Sequence, residues 1–389
     1  MTSLIESIRQ RFSPRKPLPP GTYHYQAPQE DPRNYRLHLR LEAGGEGMMI
    51  VNASTILHLN ATAAEFAYHL INQTPKAEVA SSVASRYRIS RSAALNDYQE
   101  FIDNVDTIIS TPGLDPITYL DLERHKPFEG EISAPYRLDC AITYALPDFM
   151  DPDSAPLNRV SQELSTEEWK SIMDKAWQAG IPHIIFTGGE PTLRQDLIEL
   201  ITHAESNGQV AGLITDGSKL SDRKYLEELL QTGLDHLLIV LYPHGEGTWL
   251  ALPSIINADI FTAVHLTITE QNQDQVMETL QLLSKMGVRA VSLSENNTTL
   301  TDLLQAAREL AANLDMELVW DLPVPYSSLN PVSLELEGRE HPEAAGRAWL
   351  YVEPDGDILP AQGINQVLGN FLTDPWDKIW NPTEVTRES

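Results

Sequence analysis

One cysteine, Cys140, stands among 389 residues. That scarcity excludes an intramolecular disulfide, a four-cysteine zinc site, and any iron–sulfur cluster held by several thiolates of this chain. Positive charge is also in short supply, with Lys plus Arg at 28 against Asp plus Glu at 55, for a formal net charge of −27. Such a balance argues against nucleic acid or an anionic membrane as a partner. No apolar run is long enough to span a bilayer, and the first residues, MTSLIESIRQRFSPRKPLPPG, lack the apolar stretch of a secretion signal. The expected location is the cytoplasm. The 42% hydrophobic content marks a globular chain, and its length suits two or three domains.

Changes of pattern divide the chain. Residues 1–29 end in a proline-rich stretch and read as an arm. Within 30–110, three strand-like runs (Tyr35 to Leu41, Gly47 to Val51, Ser54 to Leu59) precede three helical patterns. Asn60 is positioned to cap the first helix, Pro75 to open the second, and the third runs from about Arg91 to Ile109. Residues 111–134 read as a linker. From Tyr136 to about residue 320, apolar runs at 136–143, 182–187, 209–214, 235–241, 261–268, 288–293 and 316–320 alternate with helices. Several of these helices end at a glycine (Gly180, Gly208, Gly233, Gly287), and Ser165 with Glu168 makes a capping box. The alternation predicts an α/β fold of parallel strands and crossover helices, a partial or full barrel whose site lies at the carboxyl ends of its strands. The tail, 321–389, is irregular and rich in Pro, Gly and Trp; Trp349, Trp376 and Trp380 are its expected core.

The second barrel strand runs into Thr187-Gly188-Gly189-Glu190-Pro191-Thr192-Leu193-Arg194. Two glycines after a strand let backbone approach a ligand closely, and a glutamate beside them can accept bonds from an ammonium group. The octet resembles the segment of radical S-adenosylmethionine (radical SAM) enzymes that binds the cofactor's amino group. Leu213-Ile214-Thr215-Asp216-Gly217 resembles a further strand end of that family, with Asp216 where asparagine is usual. Tyr351 to Pro360, Leu368-Gly369-Asn370 and Trp376 to Trp380 resemble the SPASM extension, which holds auxiliary iron–sulfur clusters. Leu57 to Glu65 resembles the small peptide-binding (PqqD-like) chaperone of pyrroloquinoline quinone biosynthesis. The resemblance implies a radical SAM-type partial (β/α) barrel at 135–320, a winged-helix-like α+β peptide-binding domain at 30–110 and a SPASM-like extension at 321–389. It also implies Gly188, Gly189, Glu190, Pro191 and Thr215 as the residues around S-adenosylmethionine.

The family's cluster needs three cysteines spaced C-x3-C-x2-C after the first strand. If Cys140 is the first, Tyr144 and Pro147 fill the other places; if the triad starts after the strand, Leu146, Met150 and Asp153 do. The second alignment is favoured, because Leu138, Cys140 and Ile142 share one strand face and make Cys140 a core residue. In the tail, Ala361, Ser327, His341 and Tyr351 stand at or near other expected cysteine positions. No [4Fe–4S] cluster is therefore expected, no metal ligand is assigned, and S-adenosylmethionine binding is expected to be weak.

Three functions follow: a cluster-less peptide-binding or scaffold partner in the modification of ribosomally made peptides, alongside an active radical SAM enzyme; an enzyme using S-adenosylmethionine without radical chemistry; and a radical enzyme whose cluster comes from another chain. A leader peptide would add beside Ser54 to Leu59 and pack on the third helix, through Leu95, Tyr98, Ile102 and Val105. His265, Thr267 and Thr269 share a polar strand face that can line the barrel, and His244 and Glu246 follow the fourth barrel strand.

Overall fold

The computed structural model describes residues 18–28, 30–33, 35–52, 55–111, 114, 119, 132–242, 245–337 and 342–380. These fall into two compact units, one formed by the chain up to Ser133 with Gln178–Gly180, the other by the rest.

The first unit holds a four-stranded antiparallel meander: β1 (Gly21–Gln26), β2 (Arg36–Leu41), β3 (Gly47–Val51) and β4 (Thr55–Leu59). β1 lies in the stretch expected as an arm. Tyr23 and Tyr25 alternate inward and pack on Leu37 and Leu39, so the segment gains apolar contact by covering the edge of β2. β4 has one neighbour in the sheet and is an edge; Ser54 lies outside the described residues. Then come α1 (Ala61–Ile71), α2 (Lys76–Tyr87) and α3 (Arg91–Ser110). Asn60 caps α1 by accepting from the amides of Thr62 and Ala63. Pro75 occupies the cap position of α2 rather than its first turn. On α3, Tyr98 and Val105 are buried, Ile102 is half-buried and Leu95 is exposed, so only part of the expected stripe is available to a peptide.

In the second unit seven strands lie side by side in chain order: β5 (Arg137–Thr143), β6 (His183–Gly188), β7 (Val210–Thr215), β8 (His236–Val240), β9 (Phe261–Ile268), β10 (Ala290–Glu295) and β11 (Glu317–Leu318). Every adjacent pair is parallel. The crossover helices are α4 (Thr166–Ala179), α5 (Leu197–Ser206), α6 (Arg223–Leu230), α7 (Glu246–Ile256), α8 (Val276–Met286) and α9 (Thr301–Asn313). The capping box forms: Ser165 donates to the Glu168 carboxylate through its amide at 2.8 Å and its hydroxyl at 2.7 Å. Both faces of the sheet are buried, as a parallel sheet covered by helices requires. Leu138, Cys140 and Ile142 share one face, each fully buried. On the inner face, Ile185, Ile214, Leu238, Ala263 and Ala290 form one apolar cluster.

The tail joins the barrel sheet. β12 (Trp349–Val352) pairs in parallel with β5, and β13 (Asp357–Leu359) and β14 (Gly369–Asn370) follow antiparallel, making one ten-stranded sheet. β5 leads the barrel and would otherwise leave a hydrophobic edge unpaired; the apolar run Trp349–Val352 covers it. β11 and β14 are the sheet's two ends, so the barrel is partial. Trp349 is buried with its ring against the Arg137 guanidinium, 4.7 Å from the centroid, while Trp376 and Trp380 of the last turn, α10 (Trp376–Ile379), stack at 5.8 Å.

Candidate active site

The carboxyl ends of β5, β6 and β7 meet at Glu190. β6 leaves the sheet through Gly188, whose φ of +121° favours glycine. A Cβ there would lie 2.2 Å from the Thr143 carbonyl oxygen, and one at Gly189 would lie 2.3 Å from that of Ala145. The amides of Gly189 and Glu190 donate to these same carbonyls at 2.8 and 2.9 Å. The glycines thus admit the chain's own backbone after β5. Pro191 begins a short 3-10 turn, Pro191–Leu193.

The Glu190 carboxylate is buried and fully used inward. One oxygen accepts from the Thr192 amide at 2.9 Å, the Thr192 hydroxyl at 2.6 Å and the Thr215 hydroxyl at 2.7 Å; the other accepts from the Asp216 amide at 2.7 Å. Glu190 thereby ties β6 to the end of β7. Burial, and then the neighbouring Asp216 carboxylate, push Glu190 up to about 7. Asp216 accepts from the Ser218 amide at 2.7 Å, and burial raises it too. All five sequence-predicted residues gather here. Thr192 and Asp216 complete the network.

A second polar group lies on the inner face of β9 and β10. His265 bonds Ser292 through Nδ1 at 3.0 Å, and Thr267 and Ser294 through Nε2 at 3.1 Å each. Burial lowers it to about 4, so the ring is neutral. The expectation of a polar barrel-facing row holds for His265 and Thr267 as a satisfied hydroxyl network. Glu246 begins α7; His244 and His341 lie outside the described residues.

Residues 140–241 match the model of the radical SAM superfamily. The chain is 27% identical over 247 residues to the PqqA peptide cyclase of Bradyrhizobium diazoefficiens, a stretch covering 55% of this chain and 62% of that one. The chain thus spans less than two thirds of that relative's length. Its fold is similar to that of Streptococcus suis SuiB: bound to S-adenosylmethionine, TM-score 0.59 at 15% identity, covering 92% of this chain and 88% of that one; bound to precursor peptide SuiA, TM-score 0.59 at 14% identity, covering 92% and 89%. This likeness supports the partial barrel of the radical SAM type.

The residues that the resemblance aligns with the family's cluster cysteines do not fit an iron–sulfur cluster. Met150 packs with Ile185, Ile214, Leu238, Val240 and Tyr242 on the inner face, and Leu146 packs against them. Asp153 is a carboxylate on an exposed turn, with its amide bonded to Asp151. In the other alignment the Tyr144 hydroxyl donates to Glu353 at 2.8 Å and Pro147 has no donor atom. Cys140 is fully buried, and burial raises its thiol well above the usual range, away from the thiolate a metal needs. In the tail, Ala361 and Tyr351 are buried, and the Ser327 hydroxyl accepts from the amides of Leu329 and Asn330 at 3.3 and 3.2 Å.

Proposed function

We propose that this chain is a cluster-less radical SAM relative that binds a precursor peptide and serves as a scaffold or delivery partner in peptide modification, beside an active radical SAM enzyme. One observation carries the reading: the places where the family holds cluster ligands are occupied by Leu146 and Met150, packed into the inner apolar face of the barrel. Evolution of a core at those positions leaves the fold and removes the donors. The named relatives support a peptide as the substance handled: one is a cyclase of the PqqA peptide, and one solved neighbour is bound to the precursor peptide SuiA. The edge strand β4 supports the N-terminal unit as the receiving surface, by strand addition. S-adenosylmethionine enters this reading as a weak ligand of Gly188, Gly189, Glu190, Pro191 and Thr215. A neighbour's structure with that cofactor supports it; the inward commitment of the Glu190 oxygens weakens it.

The test pairs two measurements on the full chain. After anaerobic reconstitution with iron and sulfide, the protein should stay colourless, without iron loading, and should not cleave S-adenosylmethionine on reduction. Titration with precursor peptides encoded near the gene should show saturable binding that Ile56→Pro weakens, since proline removes a backbone donor from β4. Loading of about four irons per chain would overturn the cluster-less reading; peptide binding indifferent to Ile56→Pro would move the peptide off β4.

A further inference from the structure

Between the tail and the first barrel strand lies a cavity of about 350 Å³, within the size range of small-ligand sites. Leu322, Val324, Pro331, Leu334 and Trp349 supply an apolar wall. Asp139, Asp321, Asn330, Glu335 and Gln362 also line it.

The guanidinium groups at this wall are committed. Arg137 binds Asp139 through Nε at 2.7 Å and Nη2 at 3.0 Å, and gives a further bond to the Asp321 carbonyl at 2.6 Å. Arg159 binds Glu335 at 2.7 and 3.1 Å and the Tyr326 hydroxyl at 3.0 Å, and pairs with Glu353 at 3.2 Å. The Tyr326 hydroxyl is spent in turn on Glu335.

What remains is acceptors. Asn330 and Gln362 each donate to the Val324 carbonyl at 2.7 Å, which turns both amide nitrogens to one oxygen and leaves both amide oxygens without a donor among the described residues. Asp321, exposed at the rim, forms no ion pair among the described residues. A cavity with free acceptors, a free carboxylate and committed cations selects a ligand rich in donors and positively charged. The apolar wall matches a hydrocarbon stem.

We propose that this cavity binds an ammonium or guanidinium head on an aliphatic stem, as a free alkyl amine or as a lysine or arginine side chain of a peptide. The site is separate from the β4 edge and does not rest on peptide capture there.

The experiment is calorimetry on the full chain at about 0.15 M salt, which screens diffuse attraction to the acidic surface. The ligands are agmatine, an arginine tripeptide blocked at both ends, neutral pentanol and anionic glutarate. One saturable site for a cation, with no binding of pentanol or glutarate, is expected. Asp321 has φ +58°, a left-handed conformation that asparagine tolerates. Asp321→Asn should therefore keep the fold, with an unchanged thermal midpoint, while weakening the cation roughly fivefold. Ala361→Leu, which fills the cavity, should abolish binding. Tighter binding of the tripeptide identifies a peptide side chain as the source, and tighter agmatine a free amine; either supports the site. No saturable cation binding, equal binding of glutarate, or an affinity untouched by Asp321→Asn overturns it.

Discussion

Glu190 accepts four hydrogen bonds, two from backbone amides and two from threonine hydroxyls, at a position with almost no exposure. Removing the carboxylate leaves these donors buried without acceptors. Glu190→Ala should accordingly lower stability by about 2–4 kcal/mol, read by urea denaturation; a loss below about 0.5 kcal/mol, the level of an ordinary surface change, would show that the carboxylate does not hold the strand ends. The effect on S-adenosylmethionine has to be measured well below the variant's unfolding temperature, so that lost folding is not mistaken for lost contact. The importance of Glu190 was readable in the octet around it. Thr215 was placed beside it through the family resemblance alone; the bonds themselves were not readable, because Thr215 and Asp216 lie 25 and 26 residues further on and reach it only through the parallel pairing of β6 and β7. Tyr144 and Glu353 show the same limit at greater range, 209 residues apart and joined by a 2.8 Å bond.

The joint between β5 and β6 depends on two glycines that touch backbone, which cannot retreat as a side chain can. A methyl group at Gly188 meets the Thr143 carbonyl at 2.2 Å and forces a left-handed φ on alanine. Gly188→Ala should cost about 3 kcal/mol or more, through combined clash and strain; an alanine variant melting with the wild type would refute the tight joint. Elements with local signals were readable from sequence: the Asn60 cap, the Ser165–Glu168 box, and helix ends at Gly180, Gly208, Gly233 and Gly287, all at positive φ. β1 and β12 were hidden for a different reason. β1 is six residues after a proline-rich stretch, half of it polar, and β12 is four residues inside an irregular tail. Each is a strand because a neighbour's edge needs covering, and a neighbour is not a local property.

Across the whole molecule, burial of titratable groups sets a pH dependence. His236 and His265 are lowered from 6.5 to about 4 by burial. Their neutral forms suit the fold, so the stability they contribute is present above about 6.5 and is lost as pH falls toward 4. Glu190 acts in the opposite sense: raised to about 7, it favours the fold when protonated, and that contribution fades as pH rises from about 4.5 through 7. Two histidines outweigh one carboxylate, so acidification from about pH 7 to about pH 5 should destabilise the protein through these groups. The separable part belongs to His265. In His265→Gln the loss over that interval should shrink by about 2 kcal/mol, whatever the variant's own starting stability. Parallel slopes for variant and wild type would place the ring in a solvated, freely titrating setting.

Because β12 closes against β5, the first barrel strand receives its second neighbour from a segment made long after it, beyond all six other barrel strands. During translation, the pairs from β5 through β11 can assemble one after another, each strand finding a partner made shortly before it. β5 alone must wait, with one apolar edge open until Trp349–Val352 leaves the ribosome. Such long-range pairing is slow and exposes the nascent chain to association through that edge. The tail is therefore a latch for the biosynthesis of this protein, and a chain halted before Trp349 would be the one most in need of a chaperone.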